Sequence, residues 1–156
     1  MKKTPMWYSI NLIVIFTMAF SALMVSSPPT PVQAVVSFDG TIYTQNFDSL
    51  SNTGTSNPWT NDSTLPGWFI GTTATPSITS YGANNGSVTT ASFYSFGSTS
   101  AADRALGAVS SNSWTGGSGS GKNYMGVLLQ NTSTQTITGL SVSYHGEEWR
   151  RENNAA

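Results

Sequence analysis

After Ala34, no stretch of this chain repeats its apolar residues at a helical spacing. What recurs is alternation in runs of five to seven residues, broken by Ser, Thr, Asn, Gly and Pro. Alternation puts successive side chains on opposite faces of a strand, whereas a helix gathers positions three and four apart. Residues 42–47 (IYTQNF) set Tyr43, Gln45 and Phe47 against Ile42 and Asn46. Strands are also expected at 67–71 after the Leu65-Pro66-Gly67 turn, at 91–97, at 104–110 and at 124–130. In 140–144 (LSVSY), Leu140, Val142 and Tyr144 share one face. Residues 49–64, 113–122 and 131–139 read as connections, and the last two strands are expected to pair as a hairpin inside a sheet. The fold class is all-β, a jelly-roll-like antiparallel β-sandwich. These six runs fall short of the eight strands of a jelly roll, and 151–156 supplies no closing strand. The domain at 35–156 is therefore expected to be truncated at its C-terminus, with an open edge or an apolar strip near Val142, Tyr144 and Trp149.

Composition agrees with an extracellular β protein. Charged residues make up 8%, against roughly 25% in ordinary soluble chains. Aromatics at 12% give enough apolar surface to oppose disorder. Past Ala34 the formal charge is −3, from four basic and seven acidic residues. Arg150-Arg151 is the one basic pair, so no nucleic-acid partner is expected. There is no cysteine, which excludes a disulfide framework and a thiolate metal site. Exported domains of bacterial type often do without disulfides.

The first 34 residues have the three parts of a signal peptide. Lys2-Lys3 supply the positive start, 10–25 the apolar core, and Val32-Gln33-Ala34 a small-residue cleavage site before Val35. Pro28, Pro29 and Pro31 end any helix, since each lacks an N–H and clashes with the turn before it. Residues 1–34 are thus expected to form a helix that is removed, leaving a secreted or cell-surface protein. The other reading is an uncleaved anchor, because 7–25 approaches the ~20 apolar residues that span a bilayer.

Several segments in order carry a resemblance: YTQNFDSL at 43–50, LPGWF at 65–69, YSFG at 94–97, DRALG at 103–107, and GVLLQNTSTQTITGLSVSYHGEEWR at 126–150. Together they resemble bacterial secreted β-sandwich domains of PEP-CTERM-type sorting proteins and of the N-terminal parts of large modular extracellular proteins. Members of that family continue for further strands beyond the last segment. No sorting segment is present here, and the family has no agreed catalytic residues to carry over.

The residues offer little catalytic machinery. His145 is the one histidine, at the end of an alternating run; a catalytic triad or His-rich metal site needs convergent partners. Glu147 and Glu148 flank Trp149 as in a sugar-cleaving site, but neighbours on a strand face opposite ways. One of them is expected to pair with Arg150 or Arg104. Asp39 and Asp62 are the candidates for a structural Ca²⁺, the one cofactor the inventory admits, though Asp39-Gly40 also reads as a tight turn. Trp59 and Trp114 lie in polar loops and are the candidates for exposed sugar-stacking surfaces, while Trp68 reads as core. The expectation is a non-catalytic module with a structural or ligand-binding role toward polysaccharide or a cell-surface component. The alternative is the non-catalytic N-terminal part of a larger extracellular enzyme, such as a nuclease or phosphodiesterase.

Overall fold

A computed structural model describes residues 35–117 and 121–151. Residues 1–34, where the signal segment and its cleavage site at Ala34 are expected, lie outside the described residues. The rest is all-β. Eight strands run in chain order: β1 (Val36–Phe38), β2 (Asn57–Pro58), β3 (Trp68–Thr72), β4 (Ser80–Asn84), β5 (Ser92–Phe96), β6 (Ala105–Val109), β7 (Asn123–Val127) and β8 (Leu129–Asn131). One turn of helix, α1 (Asn112–Thr115), precedes β7. No described helix is long and apolar enough to cross a membrane.

The strands form a four-stranded sheet, β2-β4-β5-β6, and two pairs, β3-β7 and β1-β8. The pairs meet at Leu128, whose N–H donates to the Gly67 carbonyl (2.8 Å) and whose carbonyl accepts from Val36 N–H (3.0 Å). Gly67 sits there at φ 77°, and a Cβ on it would come within 2.7 Å of the Val36 side chain. The LPGW turn therefore needs glycine both for its left-handed backbone and for this close approach.

The strands expected at 67–71, 91–97 and 104–110 appear as β3, β5 and β6, and the run at 124–130 is divided into β7 and β8. Two expected strands have no ladder. Residues 42–47 keep their alternation, with Tyr43, Gln45 and Phe47 half-buried and Ile42 and Asn46 exposed, but join no ladder among the described residues. Residues 140–144 join no ladder among the described residues either, so they do not form the expected hairpin with 124–130. Its place is taken: β3 fills the antiparallel slot of β7, and β8 runs parallel to β1 with Val36 opposite Leu129. The Asn131 carboxamide then closes a local turn, accepting from Ser133 N–H (3.0 Å) and donating to the Gln135 carbonyl (2.9 Å). That turn uses side-chain bonds where a hairpin would use backbone ones.

β4 was not legible as a strand. It pairs in parallel with β5 across a connection of only 85–91. Buried Asn84 makes the crossover possible: its Oδ1 accepts from Gly86 N–H (2.8 Å) and Val88 N–H (3.2 Å), and its Nδ2 donates to the Val88 carbonyl (3.2 Å). The core mixes aromatic and aliphatic side chains. Leu50, Trp59, Leu65, Ile70, Tyr81, Phe93 and Leu106 are buried together. Trp59 meets Tyr81 edge-on at 5.9 Å, and Phe93 meets Trp114 at 5.3 Å, the arrangement that ring quadrupoles favour.

Candidate binding groove

An open groove of about 1350 Å³ lies between the end of the four-stranded sheet and two stretches of chain without regular secondary structure. β6, Phe96 and Trp68 line its base, and 40–47 and 139–150 form its sides. β6 is the last strand of its sheet, so its outer edge faces the groove unpaired.

Residues 40–47 are held by side chains. Asp39 Oδ1 accepts from the Thr41 N–H (2.9 Å) and hydroxyl (2.7 Å), and these bonds hold its carboxyl below the usual carboxylate range. The Tyr43 hydroxyl accepts from Trp68 Nε1 (2.8 Å), and Phe47 packs edge-on against Trp68 at 4.8 Å. The opposite side, 139–150, has no regular secondary structure, and among the described residues 139–149 makes no backbone–backbone hydrogen bond. It is tied down near its end. The Trp149 ring stacks over Phe96 at 6.4 Å with planes 16° apart, and Arg150 Nη1 donates to the Gly86 carbonyl (3.4 Å). A Cβ on Gly86 would overlap the Trp149 carbonyl oxygen.

Arg104 borders the groove but is buried. Its Nε donates to Ser95 Oγ (2.8 Å), Nη1 to the Ser98 carbonyl (3.2 Å) and Nη2 to the Ser95 carbonyl. Burial pulls the guanidinium below its ordinary pKa, and neighbouring Asp103 opposes the shift. Its own N–H donates to Asp48 Oδ1 (3.0 Å), which joins the FDSL and DRALG segments. Arg104 is thus a clamp between segments and not a surface partner for Glu147 or Glu148. Glu148 pairs with Arg151 instead (2.8 Å), and Glu147 accepts from Trp149 Nε1 (2.6 Å).

The expected exposure of Trp59 and Trp114 needs correction. Trp59 is 2% exposed. Its indole N–H donates to Asn61 Oδ1 (2.7 Å), which also accepts from Ile70 N–H (2.9 Å). Two buried donors are met by one oxygen, so a tryptophan in a polar loop can be core. Trp114 is half-buried because α1, capped by Ser111 and ended by Gly116 at φ 98°, turns it onto Phe93. The groove's aromatic lining comes from elsewhere: Phe96 and Trp68 at its base, and Phe38, Tyr43, Phe47, Tyr144 and Trp149 around them. Tyr144 is 85% exposed. Its position in an alternating run marked it as a strand residue, and nothing in the sequence marked it as a groove wall.

Asp62 sits at φ 71° and its Oδ1 accepts from Gly67 N–H (3.1 Å), so it braces the LPGW turn far along the chain from Asp39. Among the described residues, no three His, Asp or Glu side chains gather to hold a metal ion. His145 is exposed on the groove's side. Val35 is half-buried just before β1.

No protein-family model, curated protein or solved structure matches this chain.

Proposed function

We propose that this chain is a secreted or cell-surface, non-catalytic module of jelly-roll-like β-sandwich type that binds an extended polysaccharide in the groove beside β6. The observation that carries the reading is the groove itself: open, and bordered by Tyr43, Tyr144 and Trp149 among hydroxyl and amide side chains. Aromatic faces stack on the apolar faces of sugar rings, and neighbouring hydroxyls and amides meet the ring hydroxyls. The ordered resemblance to secreted β-sandwich domains and the signal-peptide pattern support export.

The test is retention of the exported chain on insoluble polysaccharides. Tyr144→Ala or Trp149→Ala is expected to weaken retention by roughly tenfold, as loss of about 1–1.5 kcal/mol of stacking requires. Trp59→Phe is expected to leave retention unchanged once the protein is folded. The reading fails if no polysaccharide retains the chain, or if the groove variants bind as well as the parent. The export half is checked separately: N-terminal sequencing of exported material should begin at Val35, and recovery of Met1 in membranes would favour the anchor.

A further inference from the structure

We propose that residues 140–144 pair with the same residues of a second copy, as a two-fold antiparallel strand pair that makes a weak dimer. The inference goes beyond the polysaccharide reading and does not depend on it. Three features of the segment lead to it.

The first is a vacant ladder. Among the described residues, 139–146 has no turn, bend or regular secondary structure and no backbone hydrogen-bond partner, and a Cβ placed on Gly139 or on Gly146 would meet nothing within 4 Å. Its apolar side chains are equally uncovered: Leu140 is 57% exposed, Val142 74% and Tyr144 85%. An unpaired stretch of this kind takes another strand, because only a strand meets its N–H and C=O groups in alternation.

The second is that the segment fits itself. In an antiparallel pair centred on Val142, Val142 faces its own copy, Leu140 faces Tyr144, and Ser141 faces Ser143. Aromatic–aliphatic and Ser–Ser cross-strand pairs are favourable, and a two-fold interface must be self-complementary in this way. Charge agrees. The same register sets Glu147 opposite Ile137 and Glu148 opposite Thr136, so no like charges meet. No Lys or Pro occurs between 123 and 151, and these are the residues that natural edges use against pairing.

The third is area. Three such side chains per copy offer on the order of 400 Å² of surface, and lateral contact across one ladder covers only part of it, so a pair buries less than about 800 Å² from these side chains. That is below the ~1,600 Å² of a standard stable interface, which commits the proposal to a reversible, concentration-dependent dimer.

Sedimentation of the exported chain from low to high micromolar concentration tests this. A shift from monomer to dimer mass is expected, and Val142→Lys, which sets two like charges face to face at an exposed site, should abolish it. The register is read by cysteine, since the chain has none of its own. In a directly opposed pair the Cα atoms lie about 4.5–5.5 Å apart, within disulfide reach. Val142→Cys is therefore expected to give a covalent dimer on mild oxidation, at least tenfold faster than Ser87→Cys, an exposed control on another loop. A monomer at every concentration overturns the proposal. So does a dimer that Val142→Lys leaves intact, or equal cross-linking at 142 and 87. No sugar enters these measurements, so they stand or fall apart from polysaccharide binding.

Discussion

Asn61 shows how much one side chain decides. Its Oδ1 takes both the Trp59 indole N–H and the Ile70 backbone N–H, so the polar loop carries its own solution for burying an indole. Asn61→Ala leaves two buried donors unmet, at about 1–3 kcal/mol each. We expect about 2–4 kcal/mol of lost stability in denaturant unfolding, and a much smaller loss for Asn61→Asp, which keeps the oxygen. A loss below about 0.5 kcal/mol for the alanine variant would mean that water replaces the carboxamide. Burial of Trp59 was illegible because composition of the surrounding loop pointed to solvent, and the deciding bond spans only two residues. Arg104 was illegible for the opposite reason. Nothing nearby in sequence announces that Ser95 and Ser98 will surround its guanidinium.

At the scale of elements, alternation was a sound guide to faces and a poor guide to partners. The half-buried side of 42–47 is the side that alternation assigns, yet no strand lies beside it. The strands at 92–96 and 105–109 were legible because aromatic and aliphatic residues fill them; β4, with the sequence SYGAN, was not. Its stability as a strand comes from outside. Gly82 lets the Tyr94 ring approach within 2.9 Å of where a Cβ would stand, and Asn84 organises the return to β5. The groove was illegible from sequence for the same reason: it is defined by which edges stay unpaired. Gly86 links this crossover to the groove wall. It holds φ 93° under the Trp149 carbonyl, so Gly86→Ala combines left-handed strain of about 1–2 kcal/mol with a clash. Trp149 should lift off Phe96. The expected readout is a red shift and stronger iodide quenching of tryptophan emission, with the midpoint of unfolding lowered only slightly. Unchanged quenching would show that the segment is not seated through Gly86.

For the whole molecule, the all-β class was legible, and so was an apolar strip at Val142 and Tyr144; Trp149, expected in that strip, is half-buried over Phe96 instead. The strip has a measurable signature. A dye that brightens on apolar surfaces should bind the folded chain, and Leu140→Ser with Val142→Thr and Tyr144→Ser should remove most of that signal while the unfolding transition stays in place. Retention of the full signal would put the exposed surface elsewhere. The pairing of β1 with β8 has a consequence for the order of events during synthesis. The first described strand is completed only by the last described one, Leu129–Asn131. A chain that emerges N-terminus first must hold Val36–Phe38 open while almost everything between is delivered, because a contact so distant in sequence cannot form early. On the proposed export route, such a chain would stay threadable until Leu129–Asn131 is through, and pairing with Val36–Phe38 would then oppose any slide back.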